Sequence, residues 1–78
     1  MPTWLRERGY RFGIIAGDCL ERPHVHVIGH GGAAEWWLLP VGLASSRGYN
    51  RRRLVEIEEI VSNHETDFHE RWTSFCGP

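Results

Sequence analysis

The chain has 78 residues and a formal charge of −1, from nine Lys+Arg and ten Asp+Glu. That length holds a single domain, residues 1–78, which buries only roughly 60–65% of the surface its unfolded form exposes. The near-zero charge excludes bulk electrostatic capture of nucleic acid, and no run approaches the ~20 apolar residues of a membrane span.

Residues 3–7 and 10–16 read as a short hairpin turned near Gly9. Tyr10, Phe12 and Ile14 share one face, and Arg11, Gly13 and Ile15 the other. Gly17-Asp18 breaks that strand. A loop follows through Glu21-Arg22-Pro23, and Pro23 biases Arg22 toward the extended form that enters a strand. His24 to Ile28 alternates, with Val25 and Val27 on one side and His24, His26 and Ile28 on the other.

Gly29-His30-Gly31-Gly32 forms a turn tolerant of positive φ. Residues 33–39 return as the partner strand, ended by Pro40, which sets Trp36 and Trp37 beside the histidine strand. Neighbours on a strand face opposite ways, so one of this pair lies on the second face as a candidate contact to a partner or a second copy. Residues 40–49 read as a connection with room for a short helical turn.

Asn50 is a good N-cap. After it Leu54, Ile57, Val61, His64, Phe68, Trp72 and Phe75 recur at helical spacing, predicting one helix from about 51 to 75 that Gly77-Pro78 stops. Such a helix spans roughly 37 Å. It is longer than a small sheet is wide, so one end is expected to overhang toward a partner. A break near Ser62-Asn63, giving two shorter helices, is the competing reading. The fold class expected is α+β: a small antiparallel sheet of three to four strands packed against one long C-terminal α-helix.

Two cysteines, Cys19 and Cys76, are too few for a disulfide framework. They are expected to be free and reduced in the cytoplasm, since the chain opens on Pro2, Trp4 and charged residues instead of a secretory apolar run.

His24 and His26 are the sharpest chemical feature. An H-x-H pair on a strand puts both rings on one face, about 6–7 Å apart along the chain. Such a pair can act as catalytic general acid and base, or ligate a divalent metal with help from His30, Glu35 or His64. The other reading is structural, with one ring packed and the other solvated. His64 lies on the apolar stripe and is expected to be a hydrogen-bonded core residue. The run His64 to His69 is not the zinc-protease motif, because its histidines are five apart. No nucleotide cradle occurs, and no Ser or Cys has a nucleophile-elbow context.

Arg51, Arg52 and Arg53 oppose the dipole of the helix they open, which costs roughly 0.3–1 kcal/mol each when exposed. Either Glu56, Glu58 and Glu59 offset them one turn later, or they meet an anionic partner. With Trp36 and Trp37 they make up the candidate partner-binding set.

The order of these motifs resembles the DUF4160 family of small bacterial proteins, which have no assigned activity. The residues that carry the likeness are Met1-Pro2-Thr3, Gly9-Tyr10-Arg11-Phe12, Pro23-His24-Val25-His26-Val27, Ala34-Glu35-Trp36-Trp37-Leu38, Pro40-Val41, Gly48-Tyr49, Leu54, Ile57, Ile60, Val61, Glu70 and Trp72. The resemblance implies a component of a two-gene, toxin–antitoxin-like module beside a small partner protein. Arg53 departs from the acidic residue usual there, which favours a changed partner surface. Three functions are therefore expected in order: a protein-docking component, a small ribonuclease or hydrolase using His24 and His26, and a phage-type inhibitor of a host complex.

Overall fold

The structure, a computed structural model, describes residues 1–15 and 17–77. Five strands follow one another as an antiparallel meander: β1 (Thr3–Glu7), β2 (Tyr10–Gly13), β3 (His24–Gly29), β4 (Gly32–Leu38) and β5 (Val41–Arg47). Helices α1 (Arg51–Asn63) and α2 (Glu65–Cys76) follow. The α+β class stands, with five strands in place of three to four and two helices in place of one. The end of the first expected hairpin at Ala16, and the Pro78 of the helix stop, lie outside the described residues.

Three hairpins turn on two residues each, and two of those turns have positive φ at both. Arg8 and Gly9 have φ of 53° and 84°, and His30 and Gly31 have 50° and 79°. Positive φ at both central positions is what a type I′ turn requires, and its twist matches that of the strands it joins. Register follows: Glu7 pairs with Tyr10 and Gly29 with Gly32.

The strand missed by sequence reading is β5. Its residues, Val-Gly-Leu-Ala-Ser-Ser-Arg, have little β propensity. What makes it a strand is β4, with Leu38 paired to Val41 and Ala33 to Arg47 across a bulge between Glu35 and Trp36.

One sheet face packs on the helices. Tyr10, Phe12, Val25, Val27, Trp36 and Leu38 meet Ile57, Ile60, Val61, Phe68 and Trp72 in a single core. The alternation in β2, β3 and β4 thus does what its period predicts. Asn50 caps α1 by accepting the Arg53 N–H at 2.9 Å.

The single-helix expectation fails at His64, where the backbone leaves the helical region at φ −116° and ψ 15°. The apolar spacing of three and four runs straight through this break. A hydrophobic stripe records only which residues seek the core, so it does not register a change of helix direction. Nor does the C-terminal end overhang. Cys76 is joined to Cys19 by a disulfide, correcting the expectation of two free thiols. Phe75, the last residue of the predicted stripe, is exposed.

Candidate functional site

Strand alternation sends Val25 and Val27 to one side of β3 and His24 and His26 to the other, with His24, the first residue of the strand, also reached by Trp72 of α2. The two rings lie 5.1 Å apart. His24 is completely buried, because Trp72 of α2 lies 5.1 Å from it and Trp37, its neighbour on β4, lies 5.9 Å away. The Arg22 guanidinium covers Trp37 at 4.5 Å.

A third group joins the pair from the β2–β3 connection. Asp18 opens a short 3₁₀ turn, Asp18–Leu20, and its Oδ2 accepts the Ile15 N–H at 3.2 Å. That same oxygen lies 2.6 Å from Nε2 of His26 and 3.2 Å from Nε2 of His24. The second distance is close, yet the atoms are not aligned as a hydrogen bond. His24 Nε2 is buried with no hydrogen-bond partner among the described residues. The next residue, Cys19, carries the disulfide to the end of α2, so the turn bearing Asp18 is fastened at both ends.

His26 also lines an open groove of about 580 Å³ on the sheet face opposite the helices. Ile28, Ala33, Glu35, Ser45 and Arg47 form much of the rest of its wall. Glu35 Oε1 is 4.0 Å from His26 Nδ1. The cluster therefore combines a half-buried acid and a buried imidazole with a second imidazole at the edge of an accessible surface.

Other candidates fall elsewhere. His30 sits at the far end of β3, where its Nε2–H donates to the Arg8 carbonyl at 2.8 Å. His64 donates from Nδ1 to the Ile60 carbonyl at 2.9 Å and stacks on Phe68, so it is hydrogen-bonded as expected, but it is half-buried at the margin of the core instead of within it. Neither is a ligand of the cluster. Trp36 is buried at 1% exposure and donates to Glu58, so it has no surface to give a partner, whereas Trp37 is half-buried.

The three arginines divide. Arg53 Nη1 donates to Tyr10 Oη and to Glu56 Oε1, each at 3.3 Å. Tyr10 Oη donates to the same Glu56 oxygen at 2.6 Å. The Tyr10 hydrogen bond, ahead of the Arg53 charge, holds the Glu56 carboxyl below its usual range. Burial, and then Glu56, pushes the Tyr10 hydroxyl up. Arg51 and Arg52 remain exposed, at the end of the sheet away from His24.

Asp18 was read in the sequence only as a strand breaker. Its signal was faint: an acid in a turn shortly before the H-x-H strand. No spacing rule connects them, because a chain reversal brings them together.

A family model described as a domain of unknown function, DUF4160, matches residues 9–73. No curated protein and no solved structure matches the chain. Among the described residues, no helix is long and apolar enough to cross a membrane.

Proposed function

We propose, from the premise that this chain belongs to the DUF4160 family, that it works by docking a cognate small protein as one component of a two-gene, toxin–antitoxin-like module. The observation that carries this reading is the uncovered sheet face. Five strands are covered on one side by α1 and α2, while the other side presents the groove bounded by Ile28, Ala33 and Arg47.

Strand β5 runs along one edge of that face and contains no proline and one charged residue, Arg47. Edge strands of soluble proteins are commonly protected by charge or proline, since their free backbone groups invite pairing. The occupant that fits is an extended segment of the partner, adding beside β5 and sending apolar side chains into the groove. A cytosolic placement goes with this reading. The Cys19–Cys76 pair argues the other way, because structural disulfides persist mainly in oxidising compartments.

Co-expression with the product of the adjacent gene, followed by size-exclusion chromatography, tests the docking. A stable complex is expected, lost on Ile28→Glu, which places a charge on the groove wall. A strict monomer, or co-elution untouched by Ile28→Glu, overturns it.

A second reading rests on the 2.6 Å contact between Asp18 and His26. With Nε2–H donated to Asp18, His26 Nδ1 carries a lone pair and can serve as general base on RNA or another ester. His24 is too enclosed to touch a substrate, so the two-histidine acid–base pair expected from the sequence reduces to one histidine and one aspartate. Equal RNA cleavage by wild type and His26→Ala sinks this reading.

A further inference from the structure

We infer that Asp18, His24 and His26 form a binding site for a divalent transition-metal ion of the zinc class. The inference goes beyond docking and does not depend on it. It starts from the protons of His24. Nδ1 lies 2.9 Å from the Arg22 carbonyl. A carbonyl can only accept, so Nδ1 carries the ring proton and Nε2 of the neutral ring holds a lone pair.

That lone pair is fully enclosed, has no hydrogen-bond partner among the described residues, and faces a carboxylate oxygen at 3.2 Å. Two electron-rich atoms held this way repel unless a cation stands between them. A proton is the lesser answer. The N–H it would create on Nε2 is not aligned on the Asp18 oxygen. A metal ion satisfies the nitrogen, the carboxylate and the second imidazole at once.

The distances fit. Zinc bonds of 2.0–2.1 Å in tetrahedral array set ligand atoms about 3.3 Å apart. His24 and Asp18 already stand at 3.2 Å. The Asp18–His26 contact, 2.6 Å as a hydrogen bond, opens by roughly 0.7 Å when an ion replaces the proton. All three ligand atoms lie within 4.8 Å of one another.

The surroundings fit as well. Ligating imidazoles usually donate their other nitrogen to a carbonyl or carboxylate, which fixes the ring and raises its basicity. The Arg22 carbonyl does this for His24, and Glu35 stands 4.0 Å from Nδ1 of His26. Two imidazoles and one carboxylate select zinc, cobalt or nickel over magnesium or calcium. Three protein ligands leave a fourth position, which His26 puts at the groove for water or a partner's side chain.

Zinc and cobalt(II) titrated calorimetrically into the untagged, disulfide-intact chain test this. One ion per chain is expected, together with a rise in melting temperature. Asp18→Asn is close in shape, and circular dichroism should show the wild-type fold. It and His26→Ala should each weaken binding by more than the about 10–100-fold that loss of an outer-shell partner costs. Glu35→Gln should weaken it within that range, and His69→Ala not at all. No saturable binding by the folded wild type, or equal binding by Asp18→Asn and His26→Ala, overturns the inference. The titration uses the chain alone, so a failed partner co-elution leaves it standing.

Discussion

The Glu56 carboxylate offsets one of the three cations, Arg53, on which α1 opens. It receives Tyr10 at 2.6 Å and Arg53 at 3.3 Å, with Arg8 3.9 Å from its other oxygen. The helical spacing of Arg53 and Glu56 was visible in the sequence, but Tyr10, on the second strand, was not. Because folding lowers the Glu56 pKa, the folded state holds the ionised form more tightly than the unfolded chain does. Its contribution is therefore complete above the ordinary value of 4.5 and is lost as pH falls through the lower folded value. Urea denaturation in acid should show stability falling below that point, and Glu56→Gln should flatten the slope. Tyr10→Phe removes the hydrogen bond donated to Glu56 and the longer one accepted from Arg53, and should cost about 1.5–3 kcal/mol or more in the same assay at neutral pH. Arg51 and Arg52 have no such offset among the described residues, so replacing either with alanine should raise stability by roughly 0.3–1 kcal/mol in the same assay.

Among elements, the contrast between α1 and β5 is instructive. Asn50 followed by an apolar 3–4 pattern announces the start of α1 locally, and the Asn50–Arg53 cap forms as that pattern implies. Asn50→Ala should destabilise by about 1 kcal/mol, read as a lower urea midpoint with an unchanged slope. Strand β5 has no comparable local signal, since its glycine and serines favour turns. Its identity comes from pairing with β4, and that information lies in another part of the chain. The end of α1 is similar: no proline or glycine interrupts residues 62–65, yet the helix breaks at His64. After the break, Phe68 and Trp72 remain on the core while the helix end reaches Cys19.

On the scale of the whole molecule, the disulfide closes a loop that holds β3, β4, β5 and both helices. Cys19 and Cys76 are 57 positions apart, and the chain-entropy model assigns a loop of that size about 4 kcal/mol of stabilisation. Cys76→Ser should lower the unfolding free energy by roughly 2–4 kcal/mol, measured by urea denaturation against the oxidised wild type. A 78-residue chain with a single core has little stability to lose. The link also fastens the turn that presents Asp18.

The sequence by itself determined the alternation that buries Val25, Val27 and Trp36, the two glycine turns, the start of α1, and the common face of His24 and His26. All of these depend on neighbours within a few residues, where periodicity and φ preference act directly. Tertiary structure alone decided the fifth strand, the choice of two helices broken beside Ser62-Asn63 over one long helix, the Cys19–Cys76 link and the arrival of Asp18 beside the histidines. Each of those is a contact between distant segments whose free energy appears only when the sheet and helices have packed. The H-x-H pair is local to one strand, whereas Asp18 reaches it only through the packed fold.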